Sequence, residues 1–190
     1  MQNKRLLIMT EIAVLAALAF VLSTVKLFSM PQGGSVSLVM VPIALLAYRR
    51  GLAPGLIAGL IVGMLNFLLD GSSFVHPIQL LLDYPLAFMA LGLAGAVRLS
   101  RFEQPVRRIT ALWGGLLLGI IGRLVFHFIS GVVWFAEYAP EGTPVAVYSF
   151  VYNITYLLPE MIITGVVLTL ILSRAPQLFF IARGNIGRYS

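Results

Sequence analysis

Long runs of apolar residues alternate with short polar segments along most of the chain. A transmembrane helix needs about 20 predominantly apolar residues, with about 17–25 as the working range. By this criterion the sequence predicts six segments, which cover residues 7–28, 36–48, 52–69, 78–98, 109–135 and 149–173. The second segment is short, so it could instead be a re-entrant or interfacial segment.

The connections between these segments are short. The longest cover roughly residues 98–108 on one side and 29–36 and 136–148 on the other, which leaves no room for a soluble domain. We therefore predict an all-α membrane protein. Residues 1–190 would form a single integral membrane domain, a compact bundle of six transmembrane helices.

Composition supports a membrane protein. Hydrophobic residues make up 59% of the chain and charged residues 11%, and the mean hydropathy is +0.97, far above that of soluble proteins. The basic and then apolar start resembles a secretory signal, but no clear cleavage site follows, which favours a retained first helix. With no cysteine and two histidines, we expect no disulfide, no metal site and no cofactor.

The distribution of basic residues predicts the orientation. The net charge is +6, but the basic residues punctuate apolar runs instead of forming a patch for nucleic acid, so the lipid bilayer explains them better. In the six-span topology, Lys26 lies on one side and eleven basic residues lie on the other. The eleven are Lys4, Arg5, Arg49, Arg50, Arg98, Arg101, Arg107, Arg108, Arg174, Arg183 and Arg188. Both termini are therefore predicted to be cytoplasmic.

A few ionisable side chains lie within the predicted spans. They are Asp83, Arg123, His127 and Glu160, with Glu11 near the inner end of the first span. Such groups are costly in a bilayer unless they pair or line a cavity, so each is a candidate functional position. Counted from the outer ends of their helices, Asp83, His127 and Asn153 lie at similar depths of about 8, 12 and 6 Å.

Aromatic residues surround these polar groups in the sequence: Phe74, His76, Tyr84, Trp134, Phe135, Tyr138, Tyr148 and Tyr152. A carboxylate at position 83 ringed by aromatic side chains is a good receptor for an organic cation. Helical periodicity also places Arg123, His127, Trp134 and Tyr138 on one face.

Structural alternatives exist for each of these residues. Tryptophan and tyrosine at span ends often form an interfacial belt. Asp83 could pair with Arg123, while the deeper Arg123 and Glu160 could instead neutralise each other.

Small residues recur at four-residue intervals in two spans. Gly55, Gly59 and Gly63 form one stripe, and Ala13 and Ala17 form another. Such stripes allow close approach of helix backbones. Packing inside the bundle is the simplest explanation for them.

The ordered motifs EIAVLAALAF, MPQGGSVSLVMVPI, LLAYRRG, HPIQLLLDYPLAF, FHFISGVVWFAEY and YSFVYN resemble a known family. It is the ThiT family, the thiamine-specific substrate-binding (S) subunits of energy-coupling factor (ECF) transporters. The resemblance covers about residues 5–180. It implies a six-helix protein of the prokaryotic cell membrane that captures thiamine from outside.

The resemblance also implies a set of ligand contacts. These are Asp83 and Tyr84, His127, Phe135 with Trp134 beside it, and Tyr148 with Asn153; Phe74 and His76 join them from the aromatic pattern above. Two positions depart from the family pattern. The best-known members have glutamate where this chain has Asp83, and some carry a tryptophan in the first outer loop, where this chain has PQGG at 31–34.

The same resemblance implies partners. Family members dock through an A-x-x-x-A face of the first helix onto a shared transmembrane coupling (T) subunit, and Ala13 and Ala17 match this face. Two ATPase subunits would supply energy, because this sequence contains no G-x-x-x-x-G-K-[ST] loop. We therefore expect a transport subunit and no enzyme.

Other functions remain open from the sequence. Asp83, His127 and Glu160 could form a proton relay in a stand-alone secondary transporter of a small organic cation. A membrane enzyme or a structural scaffold are further alternatives, although no nucleophile–base pair is evident.

Overall fold

The structure is a computed structural model that describes residues 2–31, 33–70 and 76–180. Five helices are α1 (Gln2–Thr24), α2 (Met40–Arg50), α3 (Leu52–Asp70), α5 (Pro105–Trp134) and α6 (Val145–Arg174). The helix α4, over residues 77–96, consists of the consecutive segments Pro77–Leu81, Leu82–Leu86, Ala87–Leu91 and Gly92–Ala96. Strands β1 (Phe28–Ser29) and β2 (Ser35–Val36) pair as a small antiparallel hairpin between α1 and α2. Short 3₁₀ turns cover Leu99–Arg101, Ala136–Tyr138 and Pro176–Leu178.

The predicted all-α class is confirmed. Five helical stretches of the described chain are long and apolar enough to cross a membrane, and α2 is the exception. Its 11 residues extend about 16 Å, roughly half of the hydrocarbon thickness. The helix begins at Met40 rather than near residue 36, because Ser35 and Val36 pair with β1. Side chains such as Ile43 and Leu46 have 0% exposure, so α2 lies inside the bundle.

A proline interrupts α4 near its middle. Pro85 has no N–H to donate to the helix, and the segment Leu82–Leu86 that contains it is a π-helical turn. Turns of this kind are rare and occur often at functional sites. The widened turn carries Asp83 and Tyr84 on the side that faces the interior cavity.

The glycine stripe of α3 packs inside the bundle against α4. A Cβ atom added at Gly59 would lie 2.2 Å from the carbonyl oxygen of Phe88, and one at Gly63 would lie 2.6 Å from that of Tyr84. The reverse contact is equally close, since a Cβ at Gly92 would meet the backbone of Gly55 at 2.3 Å. Only glycine permits this approach, and it fixes α4 and its π turn against α3.

Charged side chains tie three segments together at the arginine-rich end. Glu11 on α1 accepts hydrogen bonds from Arg50 and Arg49 at the end of α2. Arg49 also donates to the carbonyl oxygens of Gln177 and Leu178, each at 3.0 Å. The positive-inside rule places this end in the cytoplasm, so the network holds α1 to the bundle on the inner side.

The tight α3–α4 contact gives a stability prediction. Gly59→Ala should lower the free energy of unfolding by about 1–3 kcal/mol, because the new methyl group overlaps the backbone of Phe88. Gly114→Ala is the matched control, since a Cβ there meets nothing within 4 Å. Thermal unfolding in detergent should separate the two variants, and equal stability would show that α3 and α4 are not this close.

Candidate solute-binding cavity

A cavity of about 500 Å³ lies at the end of the bundle opposite the arginine-rich end. Its wall contains residues of all the helices except α2, together with residues of the hairpin and of the turn after α5. This volume falls in the range of about 300–1,000 Å³ that is typical for small-molecule sites. The cavity can therefore hold one small organic solute.

Asp83 is the centre of the hydrogen-bond network in this wall. Its Oδ2 atom accepts from the Gln79 amide at 2.6 Å and from the Ser130 hydroxyl at 2.8 Å. Its Oδ1 atom lies 3.1 Å from Nδ1 of His127. The Asp83 side chain keeps 17% exposure, so the carboxylate is oriented by its donors and still reaches the cavity.

A second acidic residue, Glu160, is fully buried and paired. Its Oε2 atom accepts from Nη1 of Arg123 at 2.8 Å, which confirms that these two residues neutralise each other and that Asp83 is not the partner of Arg123. Ser37 donates its hydroxyl to Glu160 Oε1 at 3.1 Å. The Arg123 guanidinium also lies over the ring of Phe88, 4.6 Å from its centroid. Each charge of the pair is therefore satisfied within the protein.

Tyrosines of α6 build one aromatic side of the cavity. Tyr148, Tyr152 and Tyr156 follow one another at four-residue spacing, with ring centroids 5.9 and 6.0 Å apart. The Tyr156 ring meets His127 edge to face at 6.1 Å, and its hydroxyl donates to the Asn153 side chain at 2.7 Å. The rings are tilted at Tyr148–Tyr152 and edge to face at Tyr152–Tyr156, and together they form an aromatic wall that suits a flat, polarisable ligand.

The β1–β2 hairpin covers the aromatic side. The backbone N–H of Gly34 donates to the Tyr152 hydroxyl at 3.3 Å. A Cβ atom at Gly34 would lie 2.6 Å from the ring of Tyr156, so this position requires glycine. Gly34 thus allows the chain to pass directly over the tyrosines.

The structure brings together six of the nine residues predicted to bind ligand. Lining the cavity are Asp83, Tyr84, His127, Phe135, Tyr148 and Asn153. His76 and Trp134 are not among the lining residues. Their rings stack on each other at 5.4 Å, and His76 also accepts from the N–H of Ile78 as the N-cap of α4. Phe74 lies outside the described residues.

The predicted common face of α5 is correct only in part. Arg123 and His127 both face the cavity, but α5 ends at Trp134, where the ring turns to His76. Tyr138 lies in the turn beyond, at 136–138, so helical periodicity does not apply to it. It lines the cavity nevertheless.

Several lining residues were missed by the sequence analysis. Gln79 precedes Asp83 by one helical turn, and Ser130 follows Arg123 by two, so helical spacing could have indicated both. Tyr156 follows from the spacing of Tyr148 and Tyr152 in the same way. The hairpin contacts had no comparable signal, because they join segments more than 100 residues apart.

The fold and the cavity define an integral membrane protein with a solute-sized chamber between its helices. Within the described residues, no cluster of three or more acidic or histidine side chains could hold a metal ion. The chain belongs to the thiamine transporter protein family (Thia_YuaJ), whose sequence pattern matches residues 9–180.

Relatives of this family cover nearly the whole chain. The thiamine transporter ThiT of Bacillus subtilis (strain 168) is 41% identical over 184 residues, which are 93% of this chain and 96% of the relative. ThiT of Lacticaseibacillus paracasei is 36% identical over 193 residues, or 97% and 96% of the two chains. A solved structure of ThiT from Listeria monocytogenes is similar with a TM-score of 0.85 at 32% identity, and it covers 94% of this chain and 100% of its own.

These similarities confirm the predicted family. They also confirm a transport protein and not an enzyme, since the relatives are named as transporters. The relatives are bacterial, and the described part of the chain has five long apolar helices. It is a multi-pass protein of the plasma membrane.

The buried ion pair gives a stability prediction. Glu160→Leu leaves Arg123 charged and unpaired, which should cost about 3–5 kcal/mol of unfolding free energy. The double variant Arg123→Met with Glu160→Leu removes both charges and should recover most of this loss. Thermal unfolding in detergent measures both, and a double variant no more stable than Glu160→Leu would contradict the pairing.

Proposed function

We propose that this chain binds thiamine with high affinity in the cavity described above. It would act as the substrate-binding subunit of an ECF-type importer. Thiamine carries a permanently charged thiazolium ring and an aminopyrimidine, so a site for it needs a negative charge, ring faces and a few directed hydrogen bonds. The observation that carries the proposal is the Asp83 carboxylate, which is oriented by neutral donors inside an aromatic-walled chamber.

The balance of charges in the cavity supports a cationic ligand. Among the described residues, four charged side chains line it: Lys26, Asp83, Arg123 and Glu160. Arg123 and Glu160 cancel each other, and Lys26 is exposed at the rim. The charge left inside is that of Asp83, and a bound cation would offset its desolvation.

The orientation of the cavity supports capture from outside. The arginine-rich end carries the residues that the positive-inside rule assigns to the cytoplasm, and the cavity lies at the other end. Delivery inward then needs a further step that the coupling subunit and two ATPases would drive.

The surface of α1 supports docking to such a coupling subunit. Ala13 and Ala17 are exposed, whereas Ile12, Ala16 and Ala19, which pack into the bundle, have 8%, 1% and 0% exposure. The exposed side therefore has a shallow strip at Ala13 and Ala17, between larger apolar side chains such as Val14 and Leu18. A strip of this kind allows a second helix to approach closely within the membrane.

Removing the Asp83 charge tests the binding site. Asp83→Asn keeps the shape and should weaken thiamine binding by about 2–5 kcal/mol, because a buried charge pair is lost. Tryptophan-fluorescence titration of the purified protein measures this. Glu141→Gln removes an exposed carboxylate on the same side of the membrane and should leave the affinity unchanged. Equal affinity of Asp83→Asn and the unchanged protein would exclude Asp83 from the site.

Enlarging the α1 strip tests docking separately. Ala13→Trp and Ala17→Trp should leave thiamine binding intact and abolish uptake by cells that also supply the coupling subunit and ATPases. Val166→Trp, on the exposed side of α6, is the matched control and should transport normally. Copurification of the coupling subunit with both alanine variants would contradict this assignment of the interface.

A further inference from the structure

Three polar side chains form a short chain of hydrogen bonds beside the cavity. The Nε–H group of Arg123 donates to Nε2 of His127 at 3.2 Å. On the other side of the ring, Nδ1 of His127 lies 3.1 Å from Oδ1 of Asp83. The histidine is thus held between a cation and an anion.

The chemistry of the guanidinium group decides the state of the histidine. Arginine has only N–H donors and does not lose its proton in proteins. Nε2 of His127 must therefore act as the acceptor, and an imidazolium would place one N–H against another. A neutral ring with an unprotonated Nε2 carries its proton on Nδ1, from which it donates to Asp83.

We propose that Arg123 is a positioning residue, which holds His127 neutral in the Nδ1–H tautomer so that Asp83 keeps its negative charge for the ligand. The inference rests on the proposed function, because it describes how the same cavity recognises a cation. A doubly protonated His127 at this distance from Asp83 would itself neutralise the carboxylate.

The surroundings of Arg123 suit this role. Its own charge is balanced by Glu160 at 2.8 Å. Ser37, the residue after β2, orients Glu160 by donating its N–H and its hydroxyl to Oε1. The Phe88 ring below the guanidinium fixes its plane. The groups that face His127 are then Asp83 from α4, Arg123 from its own helix and Tyr156 from α6, with Glu160 behind Arg123. Arg123 therefore donates an N–H to His127 and, because Glu160 balances its charge, adds no net charge to the cavity wall.

The protonation state can be measured directly in the protein without ligand. The chain has two histidines, so ¹⁵N-histidine labelling gives two imidazole spectra, and His76→Asn identifies the signal of His127. At neutral pH we expect a neutral ring protonated on Nδ1. An imidazolium, or a ring protonated on Nε2, would overturn the inference without any variant being needed.

Variants then test the role of Arg123. Arg123→Lys keeps a charged donor and should retain the Nδ1–H tautomer in the His127 spectrum. The double variant Arg123→Met with Glu160→Leu removes both charges of this ion pair and should give a mixture of tautomers or an imidazolium at His127. Its thiamine affinity should fall by about ten-fold or more, equivalent to about 1.4 kcal/mol. An unchanged His127 spectrum in the double variant would overturn the role of Arg123.

The two proposals fail in different ways. A chain that binds thiamine while His127 is an imidazolium refutes the present inference and leaves the proposed function standing. A chain with the Nδ1–H tautomer that does not bind thiamine refutes the proposed function, although Arg123 still sets the state of His127.

Discussion

The hydrogen bonds to the Asp83 carboxylate are the interaction on which the rest of the cavity depends. A charged group inside a membrane protein is costly unless hydrogen bonds or an opposite charge stabilise it. Gln79, Ser130 and His127 supply the hydrogen bonds. In the proposed function the ligand supplies the opposite charge. Arg123 cannot take that place, because Glu160 already pairs with it.

The backbone of the bundle is arranged around this requirement. The π turn at Pro85 widens α4 where Asp83 and Tyr84 face the cavity, and the glycines of α3 hold that turn in place. Across the cavity, the hairpin passes over the α6 tyrosines at Gly34. Ser37, just after the hairpin, donates a hydrogen bond to Glu160. This bond connects the hairpin to the Arg123–Glu160 ion pair.

Much of this arrangement could be predicted from local sequence. Hydrophobic run length gave the long helices, and intramembrane charges indicated Asp83 and His127 because bilayers tolerate such groups only with a partner or a cavity. The position of α2 was harder, since a buried helix of 11 residues does not show the length of a membrane span. Trp134 is a different kind of error. Helical periodicity predicted that Trp134 faces the cavity with Arg123 and His127. Trp134 is the last residue of α5, and its ring stacks on His76 instead.

Long-range pairings could not be predicted in the same way. The Ser37–Glu160 and Gly34–Tyr152 contacts depend on how the hairpin returns over α6, and no local period encodes this return. The sequence left Asp83 and Glu160 as alternative partners of Arg123. Because α5 packs on α6, Arg123 pairs with Glu160. The family resemblance implied thiamine as the ligand, whereas the physical patterns alone predicted only an organic cation.

The affinity ratio of thiamine and a neutral isostere tests the central claim most directly. In the isostere, a carbon atom replaces the charged ring nitrogen and the shape is kept. Titration calorimetry on the purified protein should show the isostere binding more weakly by about ten-fold or more, equivalent to about 1.4 kcal/mol, since it cannot offset the Asp83 charge. Equal affinities for the two ligands would show that the cavity does not recognise charge, and would contradict the account.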